Sequence, residues 1–542
     1  MTLQGTPIFI LKEDTQRTTG KDAASSNIAA ARVISEAIRS ALGPKGMDKM
    51  LVDNFGDVVI TNDGATILKE IDIQHPIGKM MVELSKIQDQ EVGDGTTTVV
   101  ILAGEFLQQA AELISSDKIH PTLIVEGYRV ATEKALEFLN EIANDVAVED
   151  ENLLKLVVNT SMGSKIVASH SDHLSKIVIA AVKSIDSGKG KIDIEDIKVE
   201  KKEGEDITST RMIKGIVLDK EVVHPGMPKK LKDPKIALIA EAFEVSKTEF
   251  DSELSITDPS KIQEFLDRET DMIKKMVDKV IESGATVVIA QKGIDDIAQH
   301  LFAKKGIMGI RRVKKSDMEK LAKATGAKIV DNIHDLSSDD LGNAGKVYET
   351  SVGDDDMVFV EDCPLAKSVT ILIRGGTELV VDEAERSIHD AICVVRNVLE
   401  DKKVVPGGGA PEAYVSRKLM KFSESLVGRE QLAVQAFAKA LEVIPRTLAE
   451  NAGLDPIDII VALRSAHESG NSSTGIDVFK GKVREMNDVI EPLRVKTHAI
   501  TAASENAQMI LRIDDIIAAK AGGGPGAGPP GGPGGEGMDD MD

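Results

Sequence analysis

A glycine-bracketed turn, Gly93-Asp94-Gly95-Thr96-Thr97-Thr98, runs directly into a stretch carrying Val99, Leu102, Phe106, Leu107, Ala110 and Leu113. Apolar residues at these steps predict a helix sunk in a core. The turn must then sit at the edge of that core, with the first N–H groups of the helix lacking helical acceptors. Such groups, reinforced by the helix dipole, bind an anion, and the Thr hydroxyls add donors. Phosphate is the expected anion. Asp94, between glycines that let backbone and ligand approach closely, is placed to hold the Mg²⁺ that a phosphate carries. Asp-Gly is also a turn dipeptide in its own right, so a plain helix start is the competing interpretation.

At 542 residues the chain is too long for one core, and roughly three or four domains are expected. Ser25 or Ser26 is expected to cap a helix bearing Ile34, Ala37, Ile38, Ala41 and Leu42, stopped by Gly43 and Pro44. A strand over Asp57 to Thr61 leads through Asn62-Asp63-Gly64 into another helix, and a polar helical stretch follows from Lys79. From Lys235 to Val330 strands and helices alternate, which predicts a separate α/β module. Its strands are expected at Ile236 to Ala240, Ala285 to Ala290, Ile307 to Val313 and Ala327 to Val330. Its helices are expected near Ile294 to Lys305 and at Asp317 to Thr325, the second with a Ser316/Glu319 capping box and Gly326 past its end. An insertion at about 243–271 keeps Phe243, Val245, Phe250, Leu254, Ile256, Ile262, Phe265 and Leu266 and is too apolar for a linker. Past residue 380 a helix beginning near Glu383 shows Ile388, Ala391, Ile392, Val395 and Leu399 on one face, Val404 to Gly409 breaks it, and helices continue to about Leu463. Residues 522–542, dominated by Gly and Pro before an acidic end, are expected to be a disordered tail.

Composition excludes several classes. Lys plus Arg at 66 against Asp plus Glu at 89 gives a net charge of −23, which disfavours nucleic acid as the main ligand. Two cysteines without a CxxC pair rule out a disulfide framework or a cysteine-rich zinc module and fit a reducing compartment. No apolar run approaches the roughly 20 residues of a membrane helix, and the N-terminus lacks a signal-peptide layout, so a cytoplasmic protein is expected. No Gly-Lys pair is followed by Ser or Thr, Gly93-Asp94-Gly95 lacks the third glycine of a dinucleotide fingerprint, and there is no Gly-x-Ser-x-Gly elbow. The remaining features are ambiguous taken singly. Gly43-Pro44-Lys45-Gly46 is a helix stop or a phosphate loop, and Gly407 to Gly409 a hinge, a tight crossing or a phosphate contact. Asp390 reads locally as a boundary carboxylate, and His170 with His173 as a solvated pair rather than a metal site.

Together these features resemble the chaperonins. Leu42-Gly43-Pro44-Lys45-Gly46, Asn62-Asp63-Gly64, Gly93 to Thr98, Val405-Pro406-Gly407-Gly408-Gly409 and Asn487-Asp488-Val489-Ile490-Glu491-Pro492 occur here in that family's order and spacing, over essentially residues 10–520. Asn62, where the bacterial branch typically has Lys, and the insertion near 243–271 resemble the group II branch, and the Gly-rich tail ending in Met and Asp resembles its archaeal members. The resemblance implies a multi-domain subunit of two stacked rings. Its mainly α-helical equatorial ATP-binding domain would be 1–146 with 404–521. An α/β intermediate domain would be 147–215 with 368–403, and an α/β apical domain 216–367, with a helical lid protrusion at about 243–271. It further implies ATP and Mg²⁺ as cofactors, with unfolded client proteins and self or paralogous subunits as partners. Leu42, Gly43, Pro44, Gly95, Thr96, Thr97 and Thr98 would line the phosphates, with Gly163 and Ser164 beside them, and Asp94 would hold the metal. Gly408, Asp477 and Glu491 would contact ribose or base, Lys165 would sense the γ-phosphate, and Asp63 and Asp390 would orient the attacking water. Two rivals stand beside this: a metabolic nucleotide-using enzyme, suggested by the α/β module, and a ring scaffold without ATPase activity, which Asp63, Asp94 and Asp390 argue against.

Overall fold

The computed structural model describes residues 15–519 except 54, 148–149, 187, 189, 245–258 and 366, and the side chains of 15, 16, 259–266, 518 and 519 are also outside it. The tail at 522–542 and most of the apolar insertion therefore lie outside the described residues.

The chain threads three large hydrophobic cores, leaving and re-entering two of them, with a small fourth cluster of Ile213, Val217, Met357, Phe359 and Leu372 between the second and third. It opens in a helical core with α1 (Gly20–Arg39), α2 (Gly64–Glu70), α3 (Pro76–Val92), α4 (Thr96–Ser115) and α5 (Pro121–Ile142). The expected start of α1 at Ser25 or Ser26 is corrected: both are exposed inside the helix. Strand Thr15–Thr19 pairs with Asp515–Ala519, and Gly20 N–H donates to Asp514 O at 2.6 Å, so backbone pairing sets the start where no side-chain cap does. The helix also ends at Arg39, ahead of Gly43-Pro44. α4 is buried along most of its length and packs against α1, α3, α5 and later helices.

α6 (Glu151–Met162) and α7 (Ser171–Ile185) enter a second core, where strand Ile197–Glu203 lies parallel to Val369–Gly375 and the latter pairs antiparallel with Arg211–Ile213. The third core holds α8 (Pro259–Ser283), α9 (Asp296–Lys305) and α10 (Lys315–Thr325) around a sheet centred on Lys235–Ile239. That strand has parallel neighbours Val287–Ala290 and Ile329–Val330, and Met308–Ile310 extends the sheet. The expected strand to Val313 stops at Ile310 because Arg312 adopts φ +56°, off the extended backbone. The Ser316/Glu319 capping box does not form, since α10 already begins at Lys315 and Lys314 occupies the cap position. Phe243 belongs to this core, fully buried with its ring 5.3 Å from that of Phe302, so the insertion begins after it.

α11 (Glu378–Asp401) returns to the second core, starting five residues before the expected Glu383 because Thr377 caps it by accepting from Val380 N–H. α12 (Ala410–Ser423), α13 (Arg429–Leu441), α14 (Val443–Asn451), α15 (Pro456–Glu468) and α16 (Leu493–Leu511) rejoin the first core, so helix continues well past Leu463. Phe437 of α13 stacks on Phe106 of α4 at 4.2 Å with Tyr128 edge-on at 5.4 Å, which locks the two chain segments together. Core residues fall at 28–142 with 405–511, at 146–207 with 369–404, and at 216–363. The result is a multi-domain α/β chain. No described helix is long and apolar enough to cross a membrane.

Candidate functional site

A cavity of ≈ 360 Å³ opens where α6 and α11 of the second core face the first core. It is lined by Leu42, Gly43 and Pro44 after α1, by Asp63, by Asp94 to Thr98 at the start of α4, and by Gly163, Ser164 and Lys165 after α6. Asp390 reaches it from α11, Gly408 from the loop before α12, Asp477 from a β-hairpin, and Glu491 from the strand before α16. Every residue that the chaperonin resemblance assigns to the nucleotide site thus lines this one cavity, whereas His170 and His173 lie outside it.

Local chain chemistry explains the placement. Gly93 ends α3 at φ +76° and Gly95 starts α4 at φ +80°, so Asp94 sits between two left-handed residues and the N–H groups of Thr96 to Thr98 open the helix without helical acceptors. Asp94 Oδ1 accepts from Gly95 N–H at 2.7 Å. Asp63 caps α2, its Oδ2 accepting from Thr66 N–H at 2.8 Å and its Oδ1 from Thr96 Oγ1 at 2.8 Å, which ties the two helix starts together. Gly408, at φ +65°, crosses under the hairpin: a Cβ there would lie 2.6 Å from Met486 Cε and 3.0 Å from Ile476 O. Of the three possibilities for this loop, the tight crossing is present.

The charges are concentrated. Lys165 and Asp390, both carried by the second core, form a buried ion pair at its face, and Asn62 Nδ2 from the first core donates to Ser164 O of the second. Burial works against the Lys165 charge, but Asp390, Asp63 and Asp94 outweigh it and raise its pKa. Burial pushes Asp390 well above the usual carboxylate value, with Asp63 and Asp94 adding to the push and Lys165 opposing it. Asp94 is raised by burial too. Asp63 goes the other way: burial would raise it, but Lys165 and the hydrogen bonds from Thr66 and Thr96 hold it below its ordinary value. Three carboxylates against one lysine leave an excess of negative charge that a divalent cation would balance. Among the described residues no three His, Cys, Asp or Glu converge on a metal, His170 and His173 included.

Sequence inspection missed several participants. Lys496, on α16, is buried with Nζ 2.7 Å from Glu491 Oε2 and 3.1 Å from Glu412 Oε1. Gln88 braces the glycine turn: its Nε2 donates to Asp94 O at 2.7 Å and its Oε1 lies 2.6 Å from His498 Nδ1. Asp477 spends its carboxylate inside the hairpin, accepting from Phe479 and Lys480 N–H and, at 2.6 Å, from Arg484 Nε. Despite burial, those bonds lower its pKa to about 2. Only Asn487 to Pro492 hinted at this wall of the cavity, and that motif gives no sign of Lys496 four residues beyond it.

Residues 34–521 match the TCP-1/cpn60 chaperonin family. The thermosome subunit alpha of Archaeoglobus fulgidus is 58% identical over 524 residues, covering 96% of each chain. The thermosome subunit beta of the same organism is 58% identical over 539 residues, 97% of this chain and 99% of its own. A thermosome subunit of Methanopyrus kandleri is 57% identical over 521 residues, 95% of each. Identity at this level across nearly the whole length, joined to the convergence of the glycine turn, Lys165 and the three aspartates on one cavity, means that the chain belongs to the TCP-1/cpn60 chaperonin family, in its group II archaeal branch.

Proposed function

We propose that the cavity binds Mg-ATP and that this chaperonin subunit hydrolyses it only when α11 is docked on the nucleotide wall. The observation that carries this is the ion pair of Lys165 with Asp390, set beside Asp63 and Asp94. Asp63 and Asp94 sit on elements of the first core, whereas Asp390 belongs to the second. Backbone N–H groups of Thr96 to Thr98 and the loop at Gly43-Pro44 would hold the phosphates, and Gly163 and Ser164 would close over them. Asp94 would hold Mg²⁺, which when bound neutralises phosphate charge. Asp63, kept ionised, and Asp390 would orient the attacking water, while Lys165 would meet the γ-phosphate. Gly408 and the Asp477 hairpin would wall the ribose and base, with Glu491 fixed beside them by Lys496.

The three cores support equatorial (1–146, 404–521), intermediate (147–215, 368–403) and apical (216–367) domains. Apical and intermediate parts are joined by the buried Lys198, whose Nζ donates to Val217 O at 2.8 Å and pairs with Asp317 at 3.0 Å. They would swing together, taking Asp390 to and from the site and moving apolar apical surface that captures unfolded chains. Assembly into stacked rings has a ready contact in the hairpin Lys49–Val52/Val58–Thr61, whose Met50 and Phe55 are 66% and 93% exposed.

Asp94→Ala tests the metal assignment. Mg-ATP affinity should fall by about 10- to 100-fold, with no difference from the unsubstituted protein when nucleotide is titrated in EDTA. Equal loss with and without Mg²⁺ would remove Asp94 from the metal.

A further inference from the structure

α11 carries more than Asp390. Two turns earlier on the same helix lies Glu383, 1% exposed although it is a carboxylate. Its Oε2 accepts from Arg386 Nε at 2.9 Å and from Thr61 Oγ1 at 3.0 Å, across 322 positions of sequence. Thr61 is itself fully buried, and its hydroxyl oxygen accepts the Asp63 N–H at 3.1 Å. A hydroxyl has one proton: with that proton committed to Glu383, its lone pairs are left for the Asp63 amide. Arg386 Nη2 adds a contact to Ile60 O at 3.5 Å. The strand that delivers Asp63 is thus gripped from the helix that delivers Asp390.

A buried carboxylate is costly, and an apolar side chain would fill this space without that cost. What the carboxylate adds is direction. We propose that Glu383 is a positioning residue for ATP hydrolysis: through the Thr61 hydroxyl it fixes the backbone that aims Asp63, so that docking of α11 supplies one hydrolytic carboxylate and aligns the other. Asp63 in turn holds Thr96 Oγ1 at the start of α4, so its aim is set on one side by α11 and on the other by the proposed phosphate wall. The inference rests on the proposed role of Asp63.

The test is single-turnover ATP hydrolysis, with Mg-ATP affinity measured alongside, on the intact assembly. Glu383→Ala and Thr61→Val should each slow hydrolysis by about 10- to 100-fold, the loss typical of a misplaced catalytic group, with affinity unchanged. In an Asp63→Ala background either change should cost less than about twofold more, because the group they act through is gone. Glu383→Gln, whose amide oxygen still accepts from Thr61, should recover most of the rate. Thr61→Val removes only the shared hydroxyl and carries the test alone if Glu383→Ala does not fold. Equal slowing in both backgrounds, a rate near that of the unsubstituted protein, or a loss of affinity in place of rate would overturn the proposal. A slow Asp63→Ala beside a normal Thr61→Val would overturn the role of Glu383 only; a normal Asp63→Ala would overturn the role of Asp63 as well.

Discussion

Asp390→Ala is expected to slow single-turnover ATP hydrolysis by about 10²- to 10³-fold, about 3–4 kcal/mol of barrier, while leaving Mg-ATP affinity within a few fold. The side chain is buried on α11 and its Oδ2 is held by Lys165, so it is fixed at the cavity wall, where the proposed mechanism needs a group to orient the attacking water. Binding should survive because the proposed metal ligand Asp94 and the phosphate contacts at Gly43-Pro44 and Thr96 to Thr98 belong to the first core and do not touch Asp390. Folding should survive because Lys165 keeps Asp63 and Asp94 as counter-charges. The pattern is the reverse of that for Asp94→Ala, where affinity falls in a Mg²⁺-dependent way. Titration of nucleotide binding and rapid-quench hydrolysis on the two variants side by side separate the roles. Near-normal hydrolysis in Asp390→Ala would remove it from the mechanism.

Lys496→Met should destabilise the subunit by about 3–5 kcal/mol, the usual result of deleting one partner from a buried ion cluster. Glu412 and Glu491 share this lysine, Glu412 through Oε1, while Glu412 Oε2 is buried with no hydrogen-bond partner among the described residues. Methionine fills the volume but leaves two carboxylates facing each other out of water. Burial already holds Glu491 above its ordinary value with Lys496 opposing the rise. Without that opposition its folded pKa climbs further above the unfolded one. A carboxylate raised in this way binds more protons folded than unfolded, so the deficit should shrink as pH falls from neutrality toward the folded value. Thermal unfolding of the variant at a series of pH values reads this directly. A deficit independent of pH would mean that lost packing, not stranded charge, is responsible.

The contrast between these residues marks what a sequence can disclose. The glycine turn proposed to hold phosphate is legible because its chemistry is local: glycines on either side of Asp94 and a run of threonines produce the left-handed bends and open N–H groups by themselves. Asp390 is half legible, since its spacing puts it beside an apolar face but nothing local tells that Lys165, 225 positions away, will bury it. Glu383 and Lys496 are illegible, because their partners come from other elements and acids or lysines on helices are ordinarily solvated. Helix starts fail for a related reason. Ser25, Ser26 and Ser316 are good caps by type, yet strand pairing at Thr19 and the turn after Arg312 begin the helices earlier. The alternating middle segment is read correctly in kind because parallel strands and their covering helices are each patterned locally.

On the proposed mechanism α11 docks on the glycine turn when ATP is bound and withdraws when it is not. Cys393 reports this directly. It lies one turn past Asp390, 1% exposed, pressed so closely on the glycine turn that a Cβ on Gly93 would fall 2.2 Å from its own. Asn397 Nδ2, a turn further on, donates to Val92 O at 2.9 Å and holds the same junction closed. Burial pushes the thiol up to about 12, so in this arrangement it is unreactive. With Cys363, the other cysteine, replaced by serine, the rate at which a small maleimide labels Cys393 can be followed with and without Mg-ATP. Labelling should be at least about tenfold faster without nucleotide than with it, and protection should disappear as ATP is consumed. Equal labelling in the two conditions would contradict it, because α11 would then stay on the glycine turn whether or not nucleotide is present.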